Sequence, residues 1–175
     1  RSRAIAKAIV GQRAVAPILT TLDLVKAIEK ATGPQRAKDR THPATRTFQA
    51  LRIYINAELD ELVDALHEAE QVLDAGGRLV VVSFHSLEDR IVKRFLTMRC
   101  GKTPEVSRHM PGTLEQKPPS FELLFKGHLE AHEEECNLNP RSRSAKLRAG
   151  VRTGAPAWPD SRHDLGIPRI EGSHL

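Results

Sequence analysis

Residues 77–95 read GRLVVVSFHSLEDRIVKRF and contain the most strand-like segment of the chain. The run LVVV is apolar at every position, and a strand that is apolar on both faces is typical of a parallel sheet covered by helices. Helical spacing begins directly afterwards, since Leu87, Ile91 and Phe95 recur in steps of four. The stretch therefore predicts a buried strand, a polar corner and a helix.

A long helix is predicted before this strand, from about Thr45 to about Asp74. Its apolar residues alternate in steps of three and four, and Gly76-Gly77 provides a suitable end. Helix, glycine turn, buried strand and helix form the repeating unit of a doubly wound α/β domain. The fold class predicted from these elements is α/β.

Shorter elements are predicted on both sides of this unit. Residues 2–13 favour a helix, and Thr20 is expected to cap a second helix, with Asp23 three residues later. Residues 120–127 and 144–153 predict two late strands that pair as an antiparallel hairpin with a long loop.

The composition is that of a globular protein, with 39% hydrophobic and 28% charged residues. The net charge of +5 favours a polyanionic partner. Two cysteines without framework spacing fit a reducing cytoplasm, and no apolar run is long enough to span a bilayer. The chain begins with Arg1 inside a helical pattern, which favours a fragment of a longer protein.

The corner Ser83-Phe84-His85-Ser86 is the main candidate for a functional site. Ligands of open α/β sheets bind at the carboxyl ends of the strands, and the first amides of the following helix favour anions or polar substrates. Ser86 is predicted to be the helix cap, with Asp89 at the third helical position. A purely structural role, in which Ser86 caps the helix and His85 fills a turn, explains the position equally well.

Three blocks of the sequence resemble the bacterial 16S ribosomal RNA cytosine-N4 methyltransferase family, the RsmH or MraW type. They are THPATRTFQALRIYINAELDEL (41–62), LDAGGRLVVVSFHSLEDRIVKRF (73–95) and NPRSRSAKLRAGVR (139–152). They occur in the family's order, and the resemblance covers about residues 1–153. The middle block is the longest and the most specific.

The resemblance implies an S-adenosylmethionine-dependent enzyme that methylates the exocyclic N4 of a decoding-site cytosine in 16S rRNA, position 1402 in the usual bacterial numbering. It implies the C-terminal portion of a class I, Rossmann-like methyltransferase fold. Residues 1–40 would then be the end of an inserted helical, substrate-recognition domain, and residues 41–153 the C-terminal half of the methyltransferase domain. Residues 154–175, rich in Pro, Gly and polar residues, are predicted to form a disordered tail.

The cofactor-binding elements that the family carries in its N-terminal half do not occur in this sequence. Gly76-Gly77 precedes a strand, whereas a cofactor loop follows one and opens a helix. No cofactor-binding residue is therefore assigned, and the chain alone is expected to bind S-adenosylmethionine weakly and to be inactive. The absence of the early strands also predicts an unpaired strand edge that favours instability or aggregation.

Two further motifs only superficially resemble functional sites. KPPSF (117–121) resembles the catalytic Pro-Pro-aromatic motif of amino-methyltransferases, but it lacks the preceding polar residue and lies before a late strand. HLEAHEEEC (128–136) has His, Glu and Cys at spacings that a metal tolerates. Without a second ligand pair, a solvated acidic connector explains this segment better, and no metal site is predicted.

The corner residues Ser83, Phe84, His85 and Ser86 are expected to form the wall of the acceptor pocket, with their individual roles unassigned. Three basic clusters surround the quoted blocks, one of them on the helix after the corner (Arg90, Lys93, Arg94). With an RNA substrate implied by the resemblance, the other two clusters are predicted to contact phosphates. These residues are Arg36, Lys38, Arg40, Arg46, Arg141, Arg143, Lys146 and Arg148.

The expected partner is 16S rRNA in the small ribosomal subunit, and no membrane partner is expected. A non-catalytic RNA-binding protein that kept this half of the fold is the alternative. A small-molecule Rossmann enzyme is a more distant third, disfavoured by the basic charge and the three matching blocks. The sequence does not fix the oligomeric state.

Overall fold

The computed structural model of the chain describes residues 1–34, 41–102, 117–160 and 162–167. The described residues form a mixed α/β structure with a small antiparallel sheet. Two compact units are present, Arg1–Glu58 and Leu59–Leu175. The first unit ends at residue 58. The domain boundary predicted after residue 40 stays a prediction. The assignment of the two parts to an inserted and a catalytic domain stays a prediction.

The first unit is helical and consists of α1 (Ser2–Val15), α2 (Thr21–Thr32) and α3 (Thr45–Ile55). Helix α1 packs on α2, which contributes the buried residues Ala27 and Ile28. The predicted cap of α2 is confirmed: the hydroxyl of Thr20 accepts a hydrogen bond from the Asp23 amide at 3.2 Å, and the Asp23 carboxylate accepts one from the Thr20 amide. Each side chain satisfies a backbone group that the helix leaves free.

The long helix predicted over residues 45–74 is wrong, because the helix breaks after Ile55. Helix α4 begins again at Glu58 and continues to Val72, and Ala57 between them has a left-handed φ of 50°. The Glu58 carboxylate accepts hydrogen bonds from the Arg52 guanidinium at 2.8 and 3.0 Å, which holds the break. Neither Gly nor Pro occurs at this position, and the helical spacing of apolar residues continues across it. The sequence therefore gives no local signal for the break.

The second unit places one helix, α5 (Ser86–Arg99), against a four-stranded sheet. The strands are β1 (Arg78–Ser83), β2 (Phe121–Leu123), β3 (Leu129–Glu130) and β4 (Lys146–Arg152). A short helix, α6 (Glu133–Leu138), and a 3-10 turn (Pro140–Ser144) precede β4, and a second 3-10 turn covers Arg162–Leu165. The core between helix and sheet contains Ile91, Val92, Phe95, Leu96 and Phe121, each at most 2% exposed.

The sheet has the order β1-β4-β2, with β3 also paired to β4. The predicted antiparallel pairing of the late strands is confirmed, although the first of them is shorter than predicted. The apolar run of β1 is typical of a strand in a parallel sheet. Among the described strands, however, its one partner is β4, and this pairing is antiparallel. Val80 and Val82, on one face of β1, are 53% and 49% exposed, so the described residues cover only its other face, and cover it in part.

The predicted disordered tail does not hold for residues 154–160 and 162–167, which pack on the second unit. The indole Nε1 of Trp158 donates to the Pro118 carbonyl at 2.9 Å, and Leu165 is fully buried. Packing of these two side chains holds the segment in place, and the Pro- and Gly-rich composition gave no indication of it. Residues 161 and 168–175 lie outside the described residues.

A buried ion pair connects the elements of the second unit. The Glu70 carboxylate on α4 accepts a hydrogen bond from Arg99 Nε on α5 at 2.8 Å, and the two side chains are 1% and 0% exposed. The same carboxylate accepts hydrogen bonds from the Ser120 hydroxyl and the Trp158 amide. Arg152 on β4 donates to the Glu70 carbonyl oxygen at 2.8 Å. One side chain thus joins α4, α5, the start of β2 and the tail.

Replacing Glu70 with Gln should destabilise the chain strongly. Gln preserves the shape but removes the charge, which leaves the Arg99 guanidinium buried without its anion. We expect a loss of roughly 3–5 kcal/mol in the free energy of unfolding. Urea unfolding followed by circular dichroism measures this loss. Glu68→Gln on the exposed side of α4 is the matched control, and an equal effect of the two changes would contradict the role of the ion pair.

Candidate functional site

The predicted corner lies where β1 ends and α5 begins. Ser83, the last residue of β1, is buried, and its hydroxyl donates to the Lys146 carbonyl oxygen on β4 at 3.4 Å. Phe84 is 56% exposed, and Ser86 is exposed at the first position of α5. The exposure of Phe84 excludes a role as a core residue within the described structure.

His85, and not the predicted Ser86, caps α5. The Nδ1 atom of His85 accepts a hydrogen bond from the Glu88 amide at 3.3 Å, and the Glu88 carboxylate accepts hydrogen bonds from the amides of Phe84 and His85 at 2.9 and 3.2 Å. This is a capping box shifted by one residue from the prediction, with Glu88 in place of Asp89. Capping preferences favour Ser over His, which is why the sequence indicated the wrong residue.

The cap selects one tautomer of the neutral His85 ring. Because Nδ1 accepts a hydrogen bond, the neutral ring carries its proton on Nε2. The Nε2 atom is buried and lies 3.1 Å from a Glu88 carboxylate oxygen, but out of line for a hydrogen bond with it. His85 therefore keeps its one N–H buried beside Glu88, while its other nitrogen accepts the hydrogen bond of the helix cap.

The predicted anion site at the start of α5 is not supported by the structure. The Glu88 carboxylate already accepts the hydrogen bonds of the Phe84 and His85 amides, and it places a negative charge at this end of the helix. Asp89 adds a second carboxylate in the same turn. These charges already compensate the positive end of the helix dipole, so the corner disfavours a further anion.

Arg148 is a structural residue in this chain and has no free guanidinium for a phosphate. Its Nε and Nη2 atoms lie 2.7 and 3.1 Å from the two carboxylate oxygens of Asp89, and Nη1 donates to the Gly127 carbonyl at 2.8 Å. Burial alone would raise the pKa of Asp89, but the hydrogen bonds and charge of Arg148 outweigh it and hold that pKa below its usual value. The pair ties β4 to the first turn of α5 and so fixes the corner.

The other predicted phosphate contacts separate into three groups. Arg141 and Arg143 are exposed on the 3-10 turn before β4, and Lys146 lies opposite Ser83 in the sheet register, at the same end of the sheet as the corner. Arg46 is exposed on α3 in the first unit. Arg36, Lys38 and Arg40 lie outside the described residues.

The segment HLEAHEEEC is held by local contacts. His128 Nε2 lies 2.9 Å from a Glu130 carboxylate oxygen, and Cys136 Sγ accepts a hydrogen bond from the Ser142 hydroxyl at 3.6 Å.

Two features of the corner were not predicted from the sequence, the Glu88 cap and the Asp89–Arg148 pair. The sequence signal for the Glu88 cap is a Glu three residues after His85, in the first turn of α5. The second joins residues 59 positions apart and leaves no local pattern.

A model of the MraW methylase family matches residues 1–153. The chain belongs to this family. Curated relatives with the name ribosomal RNA small subunit methyltransferase H are similar to this MraW-family chain. The relative from Methylorubrum extorquens is 55% identical over 159 residues, which cover 91% of this chain and 45% of the relative. The relative from Nitrobacter hamburgensis is 55% identical over 171 residues, 97% of this chain and 50% of the relative.

A third relative, from Agrobacterium fabrum, is 58% identical over 153 residues, which cover 87% of this chain and 44% of the relative. The MraW-family chain thus spans about half the length of the curated relatives it matches. Among its described residues, no helix is both long and apolar enough to cross a membrane.

Replacing His85 with Ala should destabilise the start of α5 by about 1 kcal/mol, because the Glu88 amide loses its acceptor. His85→Asn keeps a capping acceptor and should retain most of that stability. Hydrogen exchange of the amides of residues 86–89 measures the effect directly. Faster exchange in His85→Asn than in His85→Ala would show that His85 does not act as the cap.

Proposed function

We propose that the chain is the C-terminal part of an S-adenosylmethionine-dependent methyltransferase that modifies the exocyclic N4 of a decoding-site cytosine in 16S rRNA. The family match over residues 1–153 carries this proposal. The names of the relatives, small subunit methyltransferase H, support an rRNA substrate. A cytoplasmic location follows from a ribosomal substrate.

We assign β1, β2 and β4 to the last strands of a class I, Rossmann-like sheet. The order β1-β4-β2, with the last strand inserted antiparallel between two others, supports this assignment. The edge of β1 that no described strand pairs with, and the exposed Val80 and Val82, fit further strands and helices of a longer protein.

The corner Ser83, Phe84, His85 and Ser86 is assigned to the wall of the acceptor pocket. The lone pair of cytosine N4 is delocalised into the ring, so an enzyme has to hold the base out of its stack and polarise the amine. The exposed ring of Phe84 offers an aromatic face to such a base. His85 Nε2 is buried beside the Glu88 carboxylate, so His85 supports the corner from within, and Glu88 and Arg148 hold the corner in place.

The described residues do not fit the cofactor. No glycine-rich loop follows β1, and the start of α5 is occupied by the Glu88 carboxylate. We therefore assign cofactor binding to parts of the protein outside these 175 residues.

A non-catalytic RNA-binding module that kept this part of the fold is the second candidate, and the net positive charge of the chain is compatible with it. The coding sequence upstream of Arg1 separates the two candidates. A glycine-rich loop between a strand and a helix, in frame, supports the enzyme. A start codon near Arg1 supports the binding module.

The longer protein should transfer a labelled methyl group from S-adenosylmethionine to purified small ribosomal subunits, and mass spectrometry should locate it on N4 of one cytosine. Calorimetric titration of the 175-residue chain alone should show no micromolar binding of S-adenosylmethionine. A methyl group on a different atom would overturn the reaction. Micromolar binding by the chain alone would overturn the assignment of the cofactor site.

Replacing Arg141 and Arg143 together with Ala in the longer protein should weaken binding to small-subunit RNA. Both side chains are exposed on the 3-10 turn that leads into β4. Removing one phosphate-binding side chain lowers the slope of log affinity against log salt by roughly 0.7–0.9. Filter binding over a series of salt concentrations measures this slope. An unchanged slope would remove these two residues from the RNA interface.

A further inference from the structure

The positive charge of the chain is concentrated in the first unit. Residues 1–58 contain 11 of the 27 Lys and Arg residues but only four of the 22 Asp and Glu residues, a formal charge of +7. Residues 59–175 contain 16 basic and 18 acidic residues, a formal charge of −2. The excess that favours a polyanionic partner therefore belongs to the helical unit and not to the sheet that carries the corner.

A groove of about 740 Å³ runs between α1, the end of α2 and the start of α3 in this unit. Ile5, Ile9 and Pro43 give it an apolar lining, and each of them is only half-buried. Arg46 and the hydroxyl-bearing Thr47 line it as well. The groove thus combines an aliphatic surface with an exposed guanidinium.

Helix α3 carries two arginines, Arg46 and Arg52, and they differ in whether a carboxylate pairs with them. Arg52 forms a two-point ion pair with Glu58, at 2.8 and 3.0 Å. Arg46 is exposed, and no carboxylate of the described residues pairs with it. His42, which also lines the groove, is already engaged, with Nε2 3.3 Å from a Glu29 carboxylate oxygen. Arg46 is therefore the side chain of α3 that can offer its full charge to a ligand.

We propose that this groove binds a single-stranded segment of RNA, with a base against Ile5, Ile9 and Pro43 and a phosphate at Arg46. A base in a duplex has its faces covered by stacking, so an apolar lining selects an unpaired nucleotide. A guanidinium matches a phosphate with two parallel hydrogen bonds. The net charge of +7 on the surrounding unit complements the RNA backbone. The choice of RNA as the polyanion rests on the proposed function.

Fluorescence anisotropy with a short labelled single-stranded RNA, over a series of salt concentrations, tests the groove in the 175-residue chain. Arg46→Gln should weaken binding and lower the slope of log affinity against log salt by about 0.7, the value for one phosphate of a single strand. Arg52→Gln removes the same charge from the same helix away from the groove and should leave the slope unchanged. Ile9→Glu, which places a carboxylate in the apolar lining, should weaken binding more than Arg46→Gln.

Equal slopes for Arg46→Gln and Arg52→Gln would overturn the proposal, as would equal binding of a duplex of the same sequence. Hydrogen exchange in the longer protein provides a second measurement: RNA should protect α1 and α3. Absence of that protection would mean that another segment of the protein fills the groove, and would also overturn it. None of these measurements requires methyl transfer. If the groove binds RNA but the longer protein does not methylate N4, the proposed reaction is refuted and the proposed groove is not.

Discussion

The second unit depends on the buried ion pair between Glu70 and Arg99. Two charges fully removed from water are stable only when nearly every hydrogen-bonding group around them is satisfied. Ser120 and Trp158 meet this requirement by donating to the Glu70 carboxylate, and Arg152 donates to the backbone carbonyl of Glu70. Because these groups come from α5, the start of β2, β4 and the tail, the pair forms only when all of these elements are in place. The same requirement explains why the tail packs on this unit.

A second pair, Asp89 and Arg148, fixes the opposite end of α5. Arg148 reaches from the middle of the sheet to the first turn of the helix and also holds the loop at Gly127. Together with the Glu88 cap, it leaves little freedom to the backbone of residues 83–86. A corner used to orient a base benefits from such rigidity, since misplacement by about 1 Å can lower a reaction rate on the order of a hundredfold. The charged groups at this corner therefore position it, and the exposed Phe84 is the part that faces outward.

The formal charge differs in sign between the two units of the chain. The helical unit carries the positive charge and the groove, whereas the sheet-containing unit is slightly acidic and carries the corner. In the proposed enzyme, the first unit would attract and hold RNA and the second would present the acceptor wall. The relatives are about twice as long as this chain, which agrees with a cofactor site outside it.

The sequence by itself determined the elements whose signals are local. Apolar spacing predicted β1 and α5, Thr20 and Asp23 predicted the cap of α2, and continuous motifs predicted the family. These features depend on residues three or four positions apart or on contiguous runs. A local rule also failed at the corner, where a His took the capping position that the rule gives to Ser.

Only the tertiary structure decided which charged residues are buried and which are free. Glu70 and Arg99 are 29 positions apart, and Arg148 and Asp89 are 59 apart, so no periodicity links them. In the sequence, Arg46, Arg52 and Arg148 are indistinguishable, since each is a basic residue within a block that resembles the family. Folding pairs Arg148 and Arg52 with carboxylates and leaves Arg46 exposed beside an apolar groove. The reason is physical: a charge acquires its role from the groups that surround it in space, and the order of residues along the chain does not specify them.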